Sequence, residues 1–228
     1  MRRALWIVAG LAALIAAWVL LPSVLLQQSV AAALRPHVEE AGTLHVRARA
    51  TAWGLLRGRI ARLEIDATRV RLGDVTAGQL SGKLRGVTFR REPLRRWTVT
   101  GVEGGTLEIQ VGQHDLEAYL RARGVERPSV TIDTRGVAAS GELRAGPLVA
   151  TARLRGQFYV SGGTDLYFQI TSLNLSGTDL PPGLTAAVLG VAGRPVLSLR
   201  SLPVSVTVTQ IAYRDGRLTV GARAGAAP

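Results

Sequence analysis

Leu148-Val149-Ala150-Thr151-Ala152-Arg153-Leu154-Arg155-Gly156-Gln157-Phe158-Tyr159-Val160 is the stretch that decides the fold class. Leu148, Ala150, Ala152, Leu154, Gly156, Phe158 and Val160 fall on one side. Val149, Thr151, Arg153, Arg155, Gln157 and Tyr159 fall mainly on the other. A period of two is that of a strand, whose successive side chains point to opposite faces. A strand covered on both faces would not carry Arg153 and Arg155 in this way. One face is dry and the other wet, as in an antiparallel sheet.

The same alternation spreads outward from this stretch. Downstream, Ser161-Gly162-Gly163 is a turn, followed by Leu166, Phe168 and Ile170, then Val204, Val206 and Val208. Asp215-Gly216 is a hairpin turn into Leu218 and Val220. Upstream, Leu44, Val46, Ala48 and Ala50 alternate with His45, Arg47 and Arg49. Leu63, Ile65 and Ala67 alternate with Arg62, Glu64 and Asp66, and Val70 and Leu72 continue in the opposite phase, which predicts a bulge near Thr68. Leu107, Ile109 and Val111 form another strand.

Three segments read as helices. Leu25 to Glu40 has Leu26, Val30, Ala33 and Leu34 on one face, Pro36 near its end and Ala41-Gly42 as its stop. Asp115 to Arg123 has Leu116, Tyr119 and Leu120 on one face, with His114 or Asp115 as cap. Leu184 to Val191 is wholly apolar, so it is either buried or faces lipid. The expected architecture is α+β. A large curved antiparallel sheet packs on a long N-terminal helix and two short apolar helices, and an apolar groove remains where they do not fill its concavity.

The 228 residues divide into three parts: 1–26, a domain over 27–222, and a flexible tail over 223–228. Arg2 and Arg3 precede an uncharged apolar run from Ala4 to Leu26, long enough to cross a bilayer. The arginines favour a cytoplasmic N-terminus. The run is either a retained anchor or a cleaved signal segment, with Val30-Ala31-Ala32-Ala33 as the place to cut. Both readings put the rest of the chain outside the cytoplasm, at the cell membrane.

The formal net charge is +12, and Lys83 is the only lysine. An arginine surplus serves nucleic acid, an anionic membrane surface or anionic head groups. Export and the lack of any helix-turn-helix, zinc finger or aromatic RNA-binding stretch argue against nucleic acid. There is no cysteine, hence no disulfide and no thiolate metal site.

Catalytic chemistry finds little in the chain. Of the histidines His37, His45 and His114, His45 lies on the polar face of a strand and His114 starts a helix, and neither of these two pairs with a nearby acid at metal-ligand spacing. Glu64 and Asp66 share a wet face with Arg62, where a solvated charge ladder explains them better than acid–base work. Gly54 and Gly58 lack the lysine of a phosphate loop. Neither enzyme activity nor a cofactor nor a metal is expected.

Trp53-Gly54-Leu55-Leu56-Arg57-Gly58-Arg59-Ile60, running on to Leu63-Glu64-Ile65-Asp66, resembles the "LLxGrI..l.Id" signature of the LmeA family of phospholipid-binding envelope proteins. Val70-Arg71-Leu72-Gly73 and Leu84-Arg85-Gly86-Val87 resemble its next strand pair. His114-Asp115-Leu116-Glu117-Ala118-Tyr119-Leu120 resembles its short helix. Leu180-Pro181, Ser201-Leu202-Pro203 and Asp215-Gly216-Arg217-Leu218 resemble its C-terminal half. The likeness covers roughly Leu25 to Ala222. It implies a tubular lipid-binding fold with a cavity between sheet and helices, a phospholipid ligand, and a part in envelope lipid transport or maintenance.

The residues proposed for the groove are Trp53, Leu55, Leu56, Ile60, Phe89, Leu116, Tyr119, Leu120, Phe158, Phe168, Leu184 and Leu189. All are equally the kind that fills an ordinary core. Arg57, Arg59 and Lys83 are proposed for an anionic head group, because a guanidinium pairs bidentately with phosphate. Arg90, Arg91, Arg95 and Arg96, beside Trp97, are proposed for the head group or the membrane surface. The alternative reading is an envelope scaffold with a filled core and a basic partner-binding face. A groove for a lipid is expected near the upper end of about 300–1,000 Å³, or open along one side.

Overall fold

The computed structural model describes residues 42–51, 53–54, 57–91, 97–145, 148–180, 195–200, 202 and 204–225. They form two antiparallel sheets. The first contains β1 (Leu44–Arg49), β2 (Arg59–Leu72), β3 (Val75–Arg91), β4 (Trp97–Gly101), β5 (Gly104–Gly112), β12 (Val206–Arg214) and β13 (Arg217–Ala224). Its order is β1-β2-β3-β5-β13-β12, with β4 paired to one end of β3. The second contains β6 (Val125–Asp133), β7 (Gly136–Ala145), β8 (Leu148–Ser161), β9 (Asp165–Leu175), β10 (Thr178–Leu180) and β11 (Leu197–Ser198). Its order is β10-β9-β8-β7-β6, with β11 on β9. Between β5 and β6 lies α1 (Gln113–Ala122), the one helix whose whole span falls among the described residues.

This corrects the expected fold class. One large curved sheet on three helices is replaced by two sheets and a single fully described helix. The division falls at α1. The chain leaves β5 at Gly112, turns through the helix, and starts β6 against β7 instead of β5. Alternation identifies a strand but not its partner. The helices expected over Leu25 to Glu40 and Leu184 to Val191 lie outside the described residues, as does the run Ala4 to Leu26. Among the described residues no helix is long and apolar enough to cross a membrane. β13 runs on to Ala224, which is fully buried, into the stretch expected as a tail.

The dry faces follow the alternation. Leu63, Ile65 and Ala67 of β2, Leu80 and Leu84 of β3, Ile109 of β5 and Val220 of β13 are buried on one face of the first sheet. Beyond Ala67 the buried phase switches to Val70 and Leu72, without the bulge expected near Thr68. Thr68 faces Gln79 and Val70 faces Ala77, so the register is unbroken. Arg69, in the left-handed region at φ 54°, stands between them and rotates the strand. The hairpin signal at Asp215-Gly216 is met, with φ of 50° and 70°, the pair of positive angles that a type I′ turn requires.

α1 closes the end of the molecule on which the second sheet begins. Its N-cap is Gly112, not His114 or Asp115, and Asp115 reaches back to accept the Gly112 N–H at 2.7 Å. The helix can come this near β3 because residue 78 is glycine: a Cβ there would stand 2.9 Å from the Asp115 carboxylate. β6 is the edge of the second sheet, and an edge leaves alternate N–H groups unpaired. Two of these are taken by the helix. Gln113 Oε1 accepts from Ile132 N–H and Glu117 Oε1 from Val130 N–H, each at 3.2 Å. On the far side, β7 begins its pairing opposite Gly156, and beyond it Phe158 N–H donates to the Tyr213 hydroxyl of β12 at 2.7 Å. The two sheets are thus tied at α1 and at Tyr213.

Candidate functional site

The helix and the second sheet do not close on each other. A cavity of about 440 Å³ lies between them and opens to solvent. Leu116, Tyr119 and Leu120 line it from α1. Val130 of β6, Val137 and Leu143 of β7, and Leu154 of β8 line it from the sheet. Phe158 and Phe168 stand at one end, their centroids 5.0 Å apart and tilted by 59°, a favourable aromatic geometry. Val196 contributes from the segment before β11. The volume is in the lower half of the range for small-molecule sites, and the open side makes it a groove.

The polar groups of the groove are few. Arg123 follows the last turn of α1 and is ion-paired with Asp74 of the β2–β3 turn. Its guanidinium also lies 5.2 Å from the centre of the Tyr119 ring. Burial pushes the Tyr119 phenol above its ordinary value; the Arg123 charge opposes this and the Asp74 charge adds to it. Ser140 is the other hydroxyl in the lining. Among the described residues no group of histidines and acids could hold a metal ion. The groove can therefore take apolar chains along its length and meet an anion at Arg123.

The other face of the second sheet differs. Its surface carries a cleft of about 330 Å³ lined by Arg153, Arg155, Ser129, Thr131 and Asn174. The arginine alternation of β8 thus faces water while Leu154 and Phe158 face the groove.

Of the residues proposed from sequence, the groove brings together Leu116, Tyr119, Leu120, Phe158 and Phe168. Ile60 and Phe89 are buried in the core of the first sheet instead. Trp53 is 63% exposed, with the Arg57 guanidinium 4.8 Å from its ring centre. Leu55, Leu56, Leu184 and Leu189 lie outside the described residues, as do Arg95 and Arg96. Arg59 is ion-paired with Glu103. Lys83 is on the outer face of the first sheet, and Arg90 is exposed near the end of β3, where Arg91 pairs with Trp97. Among the described side chains, Arg57, Arg59, Lys83 and Arg90 do not line the groove.

Sequence reasoning missed Arg123. Its signal was present, because Leu116, Tyr119, Leu120 and Arg123 are spaced i, i+3, i+4 and i+7, one helix face. It also missed Val130, Val137 and Leu143, which lie on strands with too few apolar residues to stand out.

A family model described as LmeA-like phospholipid-binding matches residues 21–223. No curated protein and no solved structure matches the chain. The match extends over the helix and both sheets, hence over every side of the groove. The chain belongs to the LmeA-like phospholipid-binding family.

Proposed function

We propose that the chain is a non-catalytic, membrane-anchored extracytoplasmic protein that holds a phospholipid with its acyl chains in the groove between α1 and the second sheet. The observation that carries this reading is the apolar lining of a 440 Å³ open groove in a chain of a phospholipid-binding family. Each methylene leaving water contributes about 0.8 kcal/mol, so ten of them supply about 8 kcal/mol without any polar contact. Arg123 is the cation in that lining among the described residues, and it supports a preference for an anionic head group. Its partner Asp74 is the internal anion that a lipid phosphate would replace.

The apolar run Ala4 to Leu26 supports the anchor, and a groove lining that is mostly apolar among the described residues supports transport or maintenance of envelope lipid. The test is native mass spectrometry of the full chain released from mild detergent. A co-purified phospholipid that exchanges with added phosphatidylglycerol is the expected result. A chain that arrives free of lipid and takes up none would overturn the reading.

A further inference from the structure

We propose that the outer face of the first sheet docks the chain on the surface of an anionic phospholipid bilayer, through arginines set in register across three strands. Arg49 of β1 faces Arg62 of β2, and Arg62 faces Arg85 of β3. Directly opposed side chains have Cβ atoms about 4.5–5.5 Å apart, and like charges so placed are destabilising. The next row along the strands runs Arg47, Glu64, Lys83, Thr106 and Arg223. Together the two rows carry six cations and one acid. Asp66 and Glu108 belong to the row after that, so the positive charge is gathered at one end of the face.

Other cations of the molecule have an acid beside them. Arg59 is paired with Glu103, Arg123 with Asp74, Arg144 with Glu126 and Arg200 with Asp165. Among the described residues, none of Arg47, Arg49, Arg62, Lys83, Arg85 and Arg223 has an ion pair. All six are exposed. Among the described residues the row Arg49, Arg62 and Arg85 holds no acid to offset its repulsion, which points to an external counter-ion.

The shape of the array selects the partner. Six charges spread over one sheet face do not converge on a small anion, but they match a plane of phosphates. Seventeen residues separate Leu26, where the apolar run ends, from the start of the edge strand β1. Seventeen residues span at most about 60 Å, so the patch stays within reach of a bilayer that the run crosses. This inference rests on the anchor proposed above, not on what fills the groove.

The chain has no cysteine, so Thr106→Cys gives a unique dye site inside the second row. The full chain is placed in nanodiscs carrying an acceptor on the lipid head groups. Energy transfer should be higher in discs containing phosphatidylglycerol than in phosphatidylcholine alone. High salt should return it to the neutral-disc level, since surface charge is screened. The triple variant Arg49→Gln, Arg62→Gln, Arg85→Gln should lower the docked-to-undocked ratio on the order of 100-fold, about fivefold per cation. The corresponding triple lysine variant should retain docking.

Equal transfer in the two kinds of disc, or transfer indifferent to salt, would overturn the proposal on the unaltered chain. Lipid retention in the groove is read on the same samples. Docking lost with retention intact in the glutamine variant supports the patch as a separate surface. Retention without any anionic-lipid docking would sink this inference alone, and docking without retention would sink the groove reading alone.

Discussion

Tyr119 and Arg123 set the polarity of the groove, and each gives a test at the scale of one side chain. The Tyr119 phenol is held above about 10 chiefly by burial. The folded chain therefore keeps a proton that the unfolded chain has released. Stability from this source is complete below about pH 10 and falls as pH rises from the unfolded toward the folded value. Tyr119→Phe should flatten part of that alkaline decline, read as urea midpoint against pH. An unchanged decline would mean the phenol is not desolvated. Asp74→Asn should free Arg123 and raise retention of anionic over neutral phospholipid several-fold, while Arg123→Gln should abolish the preference. Loss of one exposed ion pair costs at most about 1 kcal/mol, so neither change should unfold the chain. Arg123 was legible from its helical spacing with Leu116. Its pairing with Asp74 was not, because the residues lie 49 apart in the chain and meet only through the fold.

At the scale of elements, the staple between α1 and β6 and the Tyr213 bridge hold the groove walls. Glu117→Ala removes the acceptor of Val130 N–H and should cost about 1 kcal/mol, with faster amide exchange at Val130. Glu117→Gln keeps an acceptor and should keep most of the protection. Tyr213→Phe leaves Phe158 N–H without its partner and should cost about 1–3 kcal/mol in denaturant unfolding. Strands with large alternating residues were legible: β8, β2, β5 and β13 all bury the phase read from sequence. β3 was legible only through the likeness at Leu84 to Val87, and β6 and β7 were not. The dry positions of these three include Ala77, Gly82, Gly136 and Ala139, too small to give a hydrophobic signal, and β6 carries Pro128. Those same small residues leave room. Ala139 lines the groove, and its replacement by Trp should fill it.

For the whole molecule, dry and wet faces were readable but the number of sheets was not, because pairing partners depend on where a helix interrupts the chain. The two-sheet arrangement separates two surfaces. Arg85 and the start of β3 at Val75 lie roughly 30 Å apart along the strand, at about 3.3 Å per residue. The docking patch is near the first and the groove lip near the second, since Asp74 precedes Val75. On the two proposals above, one end of the molecule meets the bilayer while the other holds the lipid. The most direct test of that assignment is photo-crosslinking of the full chain with a phospholipid carrying a diazirine near the end of one acyl chain. Adducts should map to α1 and to the groove-facing residues Leu154, Phe158 and Phe168, and should disappear in Ala139→Trp. Adducts confined to the apolar run Ala4 to Leu26, or unchanged in Ala139→Trp, would contradict a lipid in the groove.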